Sequence, residues 1–292
     1  MLQRTQLHPY QQHIIKLSRT VPNLGLFLPP GLGKTTTSLT ILAEQFEGTT
    51  LIIAPKKVAE TVWAQEAKKW EHLKHLKVNK ILGNPAARIN ALRSSGQIYV
   101  VNLENLVWLL EQSEMPFENL IIDESSRFKD SSTKRFKALK KHLKNFKRRI
   151  ILTGTPTPQG MSDLWSQVGI LDLGQRLETS LTKFRDKYLV PDQYNRHTKV
   201  VYSWKLKPGS QDEITKKIED ICFSLKAEDY LQLPPLTVIH HAVEIENSVR
   251  AKYDQLRKDM VAEIGKERIT TPTAAALANK LLQFTSGSVY DE

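Results

Sequence analysis

The chain has 292 residues, with 42 Lys or Arg against 31 Asp or Glu, a net charge of +11. Its length accommodates one large domain or two small ones around a sizeable core. The positive excess points to a polyanionic partner, nucleic acid foremost, and a single cysteine, Cys222, excludes internal disulfides and any cysteine-rich zinc site.

Six apolar runs read as buried strands: 24–28, 51–54, 78–82, 98–102, 119–122 and 149–153. Segments with helical periodicity lie between them, at 34–46, 57–71, 85–95, 103–111 and 131–146. Strand and helix in alternation predict an α/β fold with a mainly parallel sheet flanked by helices, over residues 1–172. Beyond it the pattern changes. Residues 173–235 carry helical stretches at 180–188 and 211–224 and a short β piece at 199–205. Residues 236–292 read as a strand, 237–245, then a charged helix, 247–268, and an Ala-rich helix, 273–284. This C-terminal extension is therefore expected to be mostly helical.

The first strand runs into Pro30-Gly31-Leu32-Gly33-Lys34-Thr35-Thr36 at the start of a helix. A strand, a glycine-rich turn ending in Lys-Thr, then a helix is the setting of a phosphate-binding loop. Glycines let backbone N–H groups curl toward phosphate oxygens, and the helix N-terminus adds partial positive charge. Lys34 reaches the β- and γ-phosphates and the Thr35 hydroxyl ligates Mg²⁺ in such a loop. Leu28 stands where the full pattern has its first glycine.

The run Asn119-Leu-Ile-Ile-Asp123-Glu124 ends a buried strand in two carboxylates. That places both at the C-terminal edge of a parallel sheet, where ligands bind in open α/β folds. Asp123 is the candidate Mg²⁺ ligand together with Thr35, and Glu124 the candidate base for the attacking water.

These motifs form a set that resembles the Snf2-like branch of the superfamily 2 helicases, most closely its compact phage and bacterial members. Leu7-His-Pro-Tyr-Gln11 resembles the N-terminal motif, Gly31 to Thr35 motif I, Leu51 to Pro55 with Trp63 to Trp70 motif Ia, and Val100 to Leu106 motif Ib. Asp123-Glu-Ser-Ser126 occupies the DExx box, Leu152-Thr153-Gly154-Thr155-Pro156 motif III, and Asp163-Leu-Trp-Ser166 follows as in Snf2 proteins. Lys226 to Pro235 resembles the approach to the second motor domain. The resemblance implies a RecA-like domain that binds ATP and Mg²⁺ and works on nucleic acid, with double-stranded DNA favoured. It implies adenine recognition by Gln11 and coupling of the γ-phosphate to the nucleic-acid groove through Thr153, Gly154 and Thr155. It also implies a second RecA-like domain with an arginine finger, so the chain is expected to be an N-terminal ATP-binding half. Ser125-Ser126 depart from the Ala-His or Ala-Asp of the commonest DExx boxes.

Candidate nucleic-acid contacts are Pro55 and Lys56 at a strand-to-helix turn, Asn102 in the motif Ib segment, and Lys137, Lys141 and Lys144. The last three belong to 134–149, which holds nine Lys or Arg in 16 residues and no acid. Phe136, Leu139, Leu143 and Phe146 recur there at helical spacing, so one face packs inward and the lysines fan over the rest. Trp63 and Trp70 share a helix face and read as core. The eight histidines have no metal-ligand spacing, and His240-His241 alternate across the expected strand.

An RNA helicase, a nucleic-acid-binding module with a vestigial loop, and a generic P-loop kinase or transporter ATPase are the competing classes. The Leu7–Gln11 and Asp163–Ser166 motifs disfavour the first. Intact Lys34, Asp123 and Glu124 disfavour the second. The Thr-Gly-Thr-Pro string and the net charge disfavour the third. No apolar run approaches the roughly 18 residues of a membrane span, and the N-terminus has no signal-peptide stretch. The expectation is a cytoplasmic protein, nucleoid-associated if DNA is its track.

Overall fold

All six predicted strands form in a computed structural model of the chain: β1 (Asn23–Phe27), β2 (Thr50–Ala54), β3 (Val78–Ile81), β4 (Ile98–Asn102), β5 (Asn119–Asp123) and β6 (Arg148–Thr153). Further on, β7 (Leu189–Tyr194) and β8 (Val201–Leu206) pair as a separate antiparallel hairpin, and β9 (Cys222–Ser224) rejoins the main sheet beside β1. The sheet has seven strands in the order β3-β4-β2-β5-β6-β1-β9, every pairing parallel. A parallel sheet covered on both faces reads as continuous apolar runs, which is why its strands stood out in the sequence. The structure describes residues 1–112, 116–195, 198–226, 230, 238–242, 244–259, 261–264, 267–270 and 274–287.

Successive side chains of each strand serve opposite faces. Leu51 and Ile53 of β2 join one core; Ile52 and Ala54 join the other. The second core is covered by α1 (Pro9–Leu17), α2 (Lys34–Gln45) and α3 (Trp63–Lys69). The first is covered by α4 (Pro85–Arg93), α5 (Leu106–Leu110), α6 (Lys134–His142), α7 (Ser162–Asp172), α8 (Leu181–Tyr188) and α9 (Ser210–Ile218). Phe136, Leu139, Leu143 and Phe146 are all buried there, as their spacing predicted.

The chain divides into two compact units, 1–233 and 234–292. In the second, α10 (Asn247–Asp259) is followed by a hairpin of β10 (Val261–Ile264) and β11 (Glu267–Thr270), and then by α11 (Ala274–Thr285). Leu256 of α10 is buried against Leu277, Leu281 and Phe284 of α11. Among the described residues, no helix is long and apolar enough to cross a membrane.

Several expectations are corrected. The helix expected over 247–268 ends at Asp259, and β10 and β11 take up its second half. The expected strand 237–245 is irregular at 238–242 and 244–245, so the alternation of His240 and His241 across a strand does not apply; residues 237 and 243 lie outside the described residues. Most of the Lys226 to Pro235 motif lies outside them as well. The helix expected over 211–224 ends at Ile218, and its last residues form β9. Arg149, the last residue of the basic run and the first of the strand expected over 149–153, is 7% exposed. Its guanidinium donates to the carbonyls of Leu143, Phe146 and Leu171. A cation there satisfies carbonyls left open at the ends of two helical segments.

Candidate active site

Three neighbouring strands assemble the site at the C-terminal edge of the sheet. β6 lies between β1 and β5, with Phe27 level with Thr153 and Asp123 level with Leu152. The loop after β1, the two carboxylates after β5 and the Thr-Gly-Thr turn after β6 therefore meet, although they are far apart in sequence.

The loop turns through Gly31 (φ +89°) and Gly33 (φ +63°), backbone that favours glycine. Leu28 does not have positive φ, so the absent first glycine is not needed there. Leu28 is instead a fully buried core residue, and its carbonyl accepts a hydrogen bond from Lys34 Nζ at 2.7 Å; Pro29 O accepts another at 3.2 Å. Burial pulls the Lys34 pKa down, while Asp123 and Glu124 act to raise it. A cleft of 260 Å³ is lined by Gly31, Gly33, Lys34, Thr35, Thr36 and Glu66. In the same loop Pro30 is exposed and Leu32 is buried.

Burial pushes the Asp123 carboxyl up to about 6, against the opposing pull of Lys34 and a hydrogen bond from Trp63. That donor is the indole Nε1 of a fully buried tryptophan, 3.2 Å from Asp123 Oδ2. Glu124 adopts left-handed backbone (φ 60°, ψ 57°), a conformation uncommon for a residue with a side chain. Its Oε1 accepts from Thr153 Oγ1 at 2.9 Å and from Ser126 Oγ. Ser125 is fully buried and donates to Gln167 Oε1 at 2.8 Å, and Gln167 donates on to Pro156 O at 2.7 Å. Of the two serines that depart from the family pattern, Ser125 thus ties the DExx segment to α7 and, through Gln167, to motif III, while Ser126 bonds Glu124 within the segment.

Motif III also touches the loop. A Cβ on Gly154 would lie 3.1 Å from Pro30 Cδ and 3.4 Å from Leu28 O, a tight approach that a side chain would strain by a few tenths of an ångström. Thr155 is exposed, and its N–H donates to Thr153 Oγ1.

Gln11 is 3% exposed and both ends of its amide are engaged. It accepts from His8 N and donates to Thr37 Oγ1 at 3.1 Å and Gly33 O at 3.4 Å, which braces the phosphate loop from below. Among the nucleic-acid candidates, Pro55 is half-buried and Lys56 exposed at the same sheet edge as the loop. Lys137, Lys141 and Lys144 are exposed on the flank. Asn102 is 5% exposed and donates to Glu104, so its side chain sits below the surface.

Two contributors were not foreseen. Trp63 was read as core packing, yet its N–H reaches Asp123; a buried indole N–H needs a partner, and that was the available signal. Glu66 accepts from Thr36 Oγ1 at 2.6 Å and from Trp70 Nε1 at 3.1 Å. In sequence it is one acid among lysines.

The donor set fits a magnesium nucleotide: a concave loop with glycine backbone, a half-buried lysine, a hydroxyl at a helix N-terminus, and a carboxyl whose raised pKa marks a charge lacking compensation.

The SNF2-related domain family matches residues 11–286. Protein p41 of Acyrthosiphon pisum secondary endosymbiont phage 1 is 33% identical over 97% of this chain. The SWI/SNF-related matrix-associated actin-dependent regulator of chromatin subfamily A-like protein 1 of Xenopus laevis is 27% identical over 88% of it. The chain spans 64% of the length of the first and 24% of the second. The SWI2/SNF2 ATPase core of Sulfolobus solfataricus, solved in complex with dsDNA, superposes with a TM-score of 0.61 at 24% identity, over 76% of this chain and 45% of that one. Fold, motif order and family match agree: the chain belongs to the SNF2-related family of superfamily 2 helicase-like ATPases.

Proposed function

We propose that the chain is the ATP-binding half of an ATP-dependent nucleic-acid motor with double-stranded DNA as its track. The observation that carries this reading is the meeting of Lys34, Asp123 and Glu124 at one sheet edge, with Thr153 bonded to Glu124. The dsDNA bound to the archaeal SWI2/SNF2 core and the +11 charge support DNA as the partner.

In this reading the N–H groups around Gly31 and Gly33 cradle phosphates, and Lys34 offsets their charge. Thr35 and Asp123 would hold Mg²⁺, which would compensate charge developing on the phosphates. Glu124, its carboxylate fixed by Thr153 and Ser126, orients a water and accepts its proton. Thr153 to Thr155 join the base to the loop and transmit nucleotide state toward the nucleic-acid face. A second RecA-like domain supplies an arginine to the phosphate, as the family resemblance implies.

The test is ATPase activity with duplex DNA, single-stranded DNA and RNA in turn, on residues 1–292 and on a chain extended through a second RecA-like domain. An arginine finger is worth about 10³–10⁵ in rate. The expected result is slow turnover by 1–292 and duplex-stimulated turnover by the longer chain. Stimulation by RNA alone would move the assignment to an RNA helicase.

A further inference from the structure

Helix α3, whose residues belong to the segment assigned to motif Ia, touches the nucleotide site at two points. Its first residue, Trp63, is 0% exposed and donates to Asp123 Oδ2 at 3.2 Å. One turn on, Glu66 lines the same cleft as the phosphate loop and accepts from Thr36 Oγ1 at 2.6 Å. Trp70 and Lys69 donate to Glu66 in turn, at 3.1 and 2.8 Å, so its carboxylate is held in place. Those contacts and the hydrogen bond from Thr36 draw its pKa down against the effect of burial.

The local backbone explains how one helix reaches both targets. Residues Val58–Val62 form a π-helical turn between the Pro55–Lys57 segment and α3. Such a turn adds a residue to the helical ring and rotates everything after it; π-turns cluster at functional positions. Trp63 comes out of it within reach of Asp123 at the end of β5, and Glu66, three residues on, and Trp70, four further, follow at helical spacing.

We propose that Trp63 and Glu66 are positioning residues for the magnesium nucleotide: Trp63 fixes the Asp123 carboxylate, and Glu66 fixes Thr36 in the first turn of α2. The proposal rests on the reading of Asp123 as metal ligand and of Gly31–Thr36 as phosphate loop. Trp63 occupies one carboxylate oxygen, so the group presents a defined oxygen to the cation. Groups that hydrogen-bond a metal-binding carboxylate typically change metal affinity by about 10–100-fold when removed. Thr36 carries one of the N–H groups at the N-terminus of α2, and tethering its side chain to α3 limits movement of that end of the helix relative to the sheet.

The experiment measures binding, not turnover. A fluorescent ATP analogue is titrated with Mg²⁺ in residues 1–292, as wild type and as Asp123→Ala, Trp63→Phe, Thr36→Val and Thr36→Ser, each checked for folding by near-UV circular dichroism. Trp63→Phe keeps the ring and loses the N–H; it should raise the Mg²⁺ concentration at half-saturation about tenfold. Thr36→Val should weaken nucleotide affinity severalfold, and Thr36→Ser, which keeps the hydroxyl, should restore it. A folded Trp63→Phe with the wild-type Mg²⁺ midpoint, while Asp123→Ala is shifted, overturns the role of Trp63 alone. If Trp63→Phe does not fold, equal behaviour of Thr36→Val and Thr36→Ser overturns the strut. A wild type whose binding ignores Mg²⁺, with Asp123→Ala identical to it, sinks the underlying site assignment instead.

Discussion

Thr153 donates its hydroxyl to Oε1 of Glu124 at 2.9 Å, from the end of β6 to the residue after β5. Ser126 donates to the same oxygen. One oxygen of the carboxylate is thereby committed to the protein. With the base replaced by a group of the same size, Glu124→Gln should bind magnesium nucleotide within severalfold of wild type. In a chain extended through the second RecA-like domain it should hydrolyse about 10²–10⁴ times more slowly. Thr153→Val should bind equally and turn over about tenfold more slowly, since one hydrogen bond to a charged group is lost. Single-turnover hydrolysis beside analogue titration separates these outcomes; full activity in Glu124→Gln excludes it as the base.

Lys34 is the one cation that the loop itself places in the cleft, against the carbonyls of Leu28 and Pro29. Lys34→Ala removes a charge-assisted phosphate contact and should lower nucleotide affinity by at least about tenfold. It leaves Asp123 without its main stabilising charge as well, so the carboxyl pKa should rise further. Equal affinity in wild type and Lys34→Ala, read from the same fluorescent titration, would show that phosphate sits elsewhere.

Asp123 gives a pH signature that does not depend on catalysis. Its pKa rises from 3.8 to about 6 on folding, because burial disfavours the charge. Between those values the folded chain binds more protons than the unfolded one, so stability falls as pH rises, and it stays lower above pH 6. A shift of this size corresponds to about 3 kcal/mol at most. Asp123→Asn, which can still accept from Trp63, should therefore melt higher than wild type at pH 8 without Mg²⁺, and equally at pH 4. Adding magnesium nucleotide should reverse the order, because only the carboxylate gains a partner. A lower melting midpoint for Asp123→Asn at pH 8 without Mg²⁺ contradicts a strained, ligand-seeking carboxylate.

Much of this site was legible because its residues sit at strand ends. The runs before Pro29 and through Asp123 are apolar, and a parallel sheet brings such ends to one edge wherever the chain order allows. What escaped the sequence shares a physical cause. β9 has three residues, too few to show a period, and it is a strand only because Cys222 to Ser224 lie against Gly25 to Phe27. The π-turn before α3 has no residue signature, yet it sets which face carries Trp63. Ser125 and Gln167 bond across 42 residues, and Thr36 and Glu66 across 30. Such pairs are decided by packing, and a single sequence does not display them. Arg149 closes the basic run yet opens the strand expected over 149–153, and the carbonyls that its guanidinium reaches were not visible in the sequence.

The basic surfaces divide by position. Pro55–Lys57 follow β2 at the same sheet edge as the phosphate loop, and Lys56 and Lys57 are exposed with no acidic partner among the described residues. Helix α6 follows β5 and descends to the start of β6, so Lys141 and Lys144 lie toward the opposite edge. A strand tracked past the nucleotide site meets Lys56 and Lys57 before it meets α6. Each lysine that neutralises a phosphate contributes about one to the slope of log affinity against log salt. Changing Lys56 and Lys57 to Glu should lower duplex affinity at least about tenfold and flatten the salt slope by about two. The same change at Lys137, Lys141 and Lys144 should weaken binding at low salt through the long-range field and leave the slope nearly unchanged. Fluorescence anisotropy of a labelled duplex across a salt series measures both. A slope that falls by three for the α6 variant and by none for Lys56 and Lys57 would move the nucleic-acid path to the flank of the sheet.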